Sequence, residues 1–121
     1  MRTKTFVMAF GICLAIMVGV VKAEEKYGII IYPGAKYDSG VSEFLKQMSP
    51  QSAAYRTGDS VDKVVDYYKK QPDFKLIADP TKEGAMFRKG KTDVTIQSPW
   101  MDTQTGKMMK DTLISIVTQP E

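Results

Sequence analysis

The stretch from Ala53 to Pro72, AAYRTGDSVDKVVDYYKKQP, decides the fold because it predicts a strand that leads into an amphipathic helix. Between positions 60 and 71, four apolar residues share one face of a helix with 3.6 residues per turn: Val61, Val64, Val65 and Tyr68. Asp59 or Ser60 can cap the first turn, and Pro72 ends the helix. The apolar stripe needs a sheet to cover, so the flanking segments are expected to supply strands.

The segments on either side of this helix have the composition of strands. Positions 52–57 precede it, and the β-type segments that follow it are 73–78, 84–89, 91–100 and 108–118. Gly90 supplies the bend of the clearest hairpin, and positions 102–106 supply the next reversal. Four strands joined by short turns after a helix predict an antiparallel C-terminal meander.

The first half of the chain predicts another strand and a shorter helix. Positions 27–32, YGIIIY, are β-branched in a strand pattern, and Pro33 with Gly34 favours a type II turn. A helix near 41–48, capped by Asp38 or Ser39, carries an apolar stripe that must be buried for so short a helix to form: Val41, Phe44, Leu45 and Met48. The expected fold is therefore α+β, with one main helix at about 60–71 packed on an antiparallel sheet and a short additional helix.

The N-terminal segment, MRTKTFVMAFGICLAIMVGVVKA, has the layout of a secretory signal peptide. A basic start precedes an uncharged run from Thr5 to Val21, which is somewhat shorter than the roughly 20 residues that span a bilayer. We therefore expect cleavage after Ala23 rather than a retained anchor, leaving a single α+β domain, 24–121, in the periplasm or secreted. Cys13 is not expected to carry a lipid, because a lipoprotein signal has a small residue just before the cysteine and Ile12 is not small.

Charge gives no indication of a nucleic-acid or membrane-surface role. The whole chain has 17 basic and 14 acidic side chains, but three of the basic ones belong to the predicted signal, so the mature domain is balanced. A balanced surface has no long-range field to attract nucleic acid or anionic lipid. We expect no nucleic-acid partner and no stable membrane insertion after signal cleavage.

Cys13, the single cysteine, also lies in the signal, so no disulfide or thiol chemistry is expected in the mature domain.

Three parts of the mature chain carry a resemblance. Tyr32-Pro33-Gly34-Ala35, the segment from Tyr55 to Tyr68 (YRTGDSVDKVVDYY) and the β-rich C-terminus that follows resemble small exported bacterial domains of unassigned function. The resemblance covers most of the mature chain and implies a bacterial source, export and an α+β fold. It implies no activity and assigns no functional residue.

The residue types used most often in catalysis are scarce. The chain has no histidine, and Cys13 leaves with the predicted signal. Asp59, Asp62 and Asp66 could share a proton or hold a cation, but helix capping and a solvated helix face explain them more simply. We predict no catalytic residue, no cofactor and no metal site, and a binding or accessory domain with a protein partner in the bacterial cell envelope. The alternatives are an enzyme that uses carboxylates or a cofactor for which the sequence shows no binding motif, and a structural component of an envelope assembly.

The most unusual local feature is a group of sulfur and aromatic side chains around one turn. Trp100, Met101, Met108 and Met109 bracket positions 102–106, and strand pairing would bring them together. Exposed, they would form an adaptable apolar contact surface for a partner; buried, Trp100 would close one end of the core. A soft Cu(I) site formed by the methionines is conceivable, but flexible packing is the simpler explanation for them.

Overall fold

The computed structural model describes residues 24–78 and 80–120. The predicted signal peptide and its cleavage site after Ala23 lie outside the described residues. Within the described part of the chain, no helix is both long enough and apolar enough to cross a bilayer.

The described residues form an α+β fold, as the sequence predicts, with two helices and ten short strands. The helices are α1 (Ser39–Lys46) and α2 (Val61–Lys69). The strands in chain order are β1 (Glu25–Lys26), β2 (Ile29–Ile30), β3 (Lys36–Tyr37), β4 (Ser52–Thr57), β5 (Lys75–Ala78), β6 (Gly84–Lys89), β7 (Thr92–Gln97), β8 (Trp100–Asp102), β9 (Lys107–Met109) and β10 (Thr112–Thr118).

Six of these strands form one antiparallel sheet in the order β3-β4-β10-β7-β6-β5. The predicted meander is therefore confirmed, because β5, β6, β7 and β10 lie side by side in the sheet in the order in which they occur along the chain. Between β7 and β10 the chain leaves the sheet to form a separate hairpin, β8–β9. A second small hairpin, β1–β2, precedes the sheet.

The main helix α2 covers one face of the sheet, as its apolar stripe predicts. The Ser60 hydroxyl caps it by accepting from the backbone N–H of Lys63 at 3.4 Å, and Asp62 in the first turn and Lys69 in the last suit the helix dipole. The four stripe residues are all buried. They pack on side chains of the central strands: Ala53, Tyr55, Phe87, Val94, Ile96, Ile114 and Ile116.

The shorter helix α1 lies on the opposite face, capped by Asp38, whose carboxylate accepts from the N–H of Val41 at 2.9 Å. The expectation that its whole apolar stripe is buried is wrong for Phe44 and Met48, which are exposed. The reason is Ser42, which is fully buried and accepts from the backbone N–H of Ala54 in β4 at 2.8 Å. That bond turns the polar Ser42 towards the sheet and leaves Phe44 on the solvent side, whereas Met48 lies beyond the end of α1 in the turn that follows it.

Three predicted strands are interrupted. The segment 27–32 begins with a turn, since Tyr27 and Gly28 have positive φ angles of 53° and 81°, and only Ile29–Ile30 pairs as a strand. The segment 91–100 ends its pairing in the sheet at Gln97, just before Ser98 and Pro99, because proline has no N–H for the ladder. The segment 108–118 is divided at Lys110 and Asp111. The last two interruptions create the β8–β9 hairpin.

Candidate functional site

The structure brings together the four residues that the sequence marks as a candidate contact group. In the β8–β9 hairpin, Trp100 lies opposite Met109 and Met101 lies opposite Met108. Successive side chains of a strand point to opposite faces, so one pair faces the sheet and the other faces solvent. Trp100 is 2% exposed and Met109 is half-buried, whereas Met101 and Met108 are 56% and 54% exposed.

Trp100 acts as the support of the hairpin. Its ring packs in a small cluster with Ala54 and Leu113, to which Met109 also contributes. Its indole N–H donates to Asp111 Oδ1 at 3.0 Å, and the Arg56 guanidinium lies 5.1 Å from the ring centroid, within cation–π distance. The partner-contact role predicted for the group is therefore available to Met101 and Met108 directly, and to Trp100 only through the shape it gives the hairpin.

Arg56 connects this hairpin to the short helix. Its Nε donates to Asp111 Oδ2 at 2.7 Å, and its Nη1 donates to Asp38 Oδ2 at 3.3 Å. The hydrogen bond to Asp111 and the two nearby carboxylates raise the pKa of Arg56 above its ordinary value. Because Asp38 also caps α1, one side chain on β4 links that cap to Asp111, the residue that holds the Trp100 indole.

Sequence reasoning missed the role of Arg56. The sequence does contain a signal, since Arg56 is a charged residue inside the predicted strand 52–57. The structure then places that strand between two others. A charge in such a position is half-buried and requires partners. The partners, Asp38 and Asp111, are 18 and 55 residues away along the chain, so only the fold reveals them.

The aspartates considered as a possible proton or cation site do not converge. Asp59 Oδ2 accepts a hydrogen bond from the Tyr32 hydroxyl at 2.5 Å, and this bond, together with burial, raises the pKa of Tyr32 to about 12. Asp62 and Asp66 are exposed on the polar face of α2. Among the described residues, no group of three or more acidic, histidine or cysteine side chains is placed to hold a metal ion.

Two shallow cavities lie on either side of the Pro33–Gly34 turn. The first, of about 360 Å³, is lined by Arg56 with Asp38, Asp111 and Tyr37 among others. Its two carboxylates already engage the guanidinium, so the charges in it are largely neutralised. The second, of about 420 Å³, lies between Tyr32 and the polar side of α2. Both cavities are open to solvent, and the β8–β9 hairpin remains the feature with the most distinctive chemistry.

No family model matches this chain, and no curated protein and no solved structure matches it either. The function of the chain therefore has to be inferred from its own residues. Those residues place two exposed methionines side by side on a hairpin that is fixed from beneath by a buried tryptophan.

Proposed function

We propose that this chain is an exported binding or accessory domain of the bacterial cell envelope, and that it contacts a protein partner through the outer side of the β8–β9 hairpin. The observation that carries the proposal is the pairing of Met101 with Met108, both more than half exposed. We call these two side chains the methionine surface. Apolar side chains displayed together on a folded domain are typical of contact sites.

The support beneath the methionine surface favours binding. Trp100 is held by its hydrogen bond to Asp111 and by the Arg56 guanidinium above its ring, and these contacts attach the hairpin to the sheet. A preformed surface loses less conformational entropy on association than a mobile loop does. Methionine has three rotatable bonds and a polarisable sulfur, so the two side chains can still adapt to the partner.

The composition of the chain supports a binding role over catalysis. The chain has no histidine, and the single cysteine lies in the predicted signal peptide. The interactions that are present are structural: Asp38 caps a helix, Asp111 holds the Trp100 indole, and Asp59 accepts from Tyr32. Export and the bacterial envelope are supported by the N-terminal signal layout and by the resemblance described above.

A comparative pulldown from the native envelope fraction tests the contact surface. The tagged wild-type domain is compared with the double variant Met101→Ser, Met108→Ser, which removes the apolar atoms from exposed positions. The matched control is Leu76→Ser, Ile77→Ser, because these exposed apolar residues lie on β5 at one edge of the sheet, in an element separate from the β8–β9 hairpin. We expect a partner that the wild type and the control recover equally and that the methionine double variant loses at least tenfold.

Equal recovery of all partners by the three proteins would contradict the methionine surface as the contact. Loss of recovery by the control alone would instead place the contact on β5. Circular dichroism melts of all three proteins accompany the pulldown, so that a loss caused by unfolding is recognised as such.

Export is tested separately by the mass of the protein recovered from the periplasm or the medium. We expect an N-terminus at Glu24, since the apolar run is followed by Val21-Lys22-Ala23. An intact Met1 N-terminus in the membrane fraction would show that the segment is an anchor.

A further inference from the structure

We propose that Met101 and Met108 together bind one soft monovalent cation, Cu(I) or Ag(I), through their two thioether sulfurs. The structure changes the ligand set that the sequence suggests. Met109 faces inward beside Trp100 and is half-buried, so it belongs to the packing beneath the hairpin. Met101 and Met108 are left as a directly opposed pair on the solvent side.

The spacing of the two side chains suits a shared ion. Residues directly opposite each other in an antiparallel pair have Cβ atoms about 4.5–5.5 Å apart. If each metal–sulfur bond is about 2.3 Å, as for zinc and thiolate, two such bonds span up to about 4.6 Å. Because both side chains are exposed and flexible, their sulfurs can approach one ion from either strand without a change in the backbone.

The chemistry of the donors selects the class of metal. Thioether sulfur is a soft, uncharged ligand that favours Cu(I), whereas calcium, magnesium and manganese prefer oxygen. A thioether carries no proton that the metal must displace, unlike a thiol or an imidazolium. No histidine competes for the ion in this chain, because the sequence contains none.

The fold preorganises this pair in a way that a mobile loop would not. The Trp100–Met109 pair and the Asp102–Lys107 pair flank the Met101–Met108 pair on the two strands, so the register is set on both sides. Trp100 is anchored to Asp111, which in turn is bound by Arg56. Two ligands on fixed neighbouring strands bind as a chelate, with a higher affinity than two independent thioethers.

The metal site and the protein-contact proposal can be separated experimentally. Leucine resembles methionine in size and apolarity but has no sulfur. A Met101→Leu or Met108→Leu variant therefore keeps an apolar surface for a protein partner while removing a metal ligand. Serine at both positions removes the apolar surface and the sulfurs together.

Direct titration with Ag(I) in chloride-free buffer, followed by calorimetry, tests the site. The protein is purified as it is exported, with Cys13→Ser in every member of the series so that a retained N-terminal segment contributes no thiol. The series is the parent, Met101→Leu, Met108→Leu, the double leucine variant and Met48→Leu. Met48 is the matched control because it is 68% exposed and lies in the turn after α1, outside the β8–β9 hairpin. Ag(I) titration followed by native mass spectrometry gives the stoichiometry.

We expect one ion per parent chain and an affinity that falls at least tenfold in either single variant. Because one remaining thioether cannot chelate, the double variant should bind no more than about threefold more weakly than each single variant. Met48→Leu should match the parent. Unchanged affinity in both single variants, or an equal loss in Met48→Leu, would overturn the proposal. Independent binding by each methionine, with half the stoichiometry lost per substitution, would overturn it as well.

Discussion

The two faces of the sheet are covered in different ways. On one face, α2 lays four buried side chains on a continuous apolar core. On the other, α1 and the β8–β9 hairpin share a cluster with only three buried members, Ala54, Trp100 and Leu113. Named polar contacts supplement this smaller cluster: Ser42 with the Ala54 backbone, and Arg56 with Asp38 and Asp111. The first face is held by buried apolar area, and the second depends on individual hydrogen bonds and one aromatic ring.

The largest expected effect comes from placing a charge in the first face. Val64 is fully buried, so Val64→Asp would put a carboxylate without a partner between α2 and the sheet. The cost of several kcal/mol is comparable with the roughly 5–15 kcal/mol that stabilises a typical domain. We expect the variant to be unfolded, as measured by circular dichroism and by loss of a cooperative melt.

Asp66→Ala is the control for this substitution, because Asp66 is exposed on the polar side of the same helix. We expect a change in stability within about 0.5 kcal/mol, as for most surface substitutions. Equal stability of the two variants would show that α2 is not packed on the sheet through its valines.

The next largest effect concerns the aromatic ring on the second face. Trp100→Ala removes a side chain that is 2% exposed, and large-to-small aromatic substitutions in cores cost about 3–5 kcal/mol. Trp100→Phe keeps an aromatic ring but removes the indole N–H that bonds Asp111, so it should cost less. Urea unfolding of both variants measures the two losses. A Trp100→Ala domain as stable as the wild type would mean that the hairpin does not stabilise this face.

A smaller effect is expected from the hydrogen bond between α1 and β4. Ser42→Ala leaves the Ala54 N–H without its partner, at a cost of about 1–3 kcal/mol for a buried group. Ser39→Ala is the control, since Ser39 is exposed in the same helix and Asp38 provides the cap. Hydrogen exchange should accelerate in α1 and much less in α2. Equal acceleration in both helices would show that the two faces unfold together and are not held separately.

The difference between the faces also explains what the sequence could predict. The stripe of α2 repeats every three to four residues, so its helix, its buried face and its need for a sheet are all local signals. The second face offers no such repeat. The apolar pattern assigned burial to Phe44 and Met48, but the residue that is buried there is Ser42. The partners of Arg56 are distant in sequence, so they come next to it only in the folded chain. The pairing of Met101 with Met108 could be predicted from the short turn that joins their strands. The burial of Trp100 against Ala54 and Leu113 depends on how the hairpin packs on the sheet, which no local pattern shows.

The smallest expected effect lies on the first face, at the bond from the Tyr32 hydroxyl to Asp59. This bond and burial raise the pKa of Tyr32 from 10.0 to about 12, so the folded state holds the phenolic proton more tightly than the unfolded state does. The resulting stabilisation is fully present below pH 10 and is lost as the pH rises towards 12, because the unfolded state then releases its proton first.

At neutral pH, Tyr32→Phe should cost only the net value of one hydrogen bond, about 0.5–1.5 kcal/mol. Between pH 10 and pH 12 the wild type should lose stability faster than the variant, so the difference between their free energies of unfolding becomes smaller. Tyr55, whose pKa is also raised to about 12, is present in both proteins and does not affect the difference. Urea unfolding at pH 7, pH 9 and pH 11 measures this difference, and parallel pH profiles would show that Asp59 does not hold the Tyr32 proton in the folded domain.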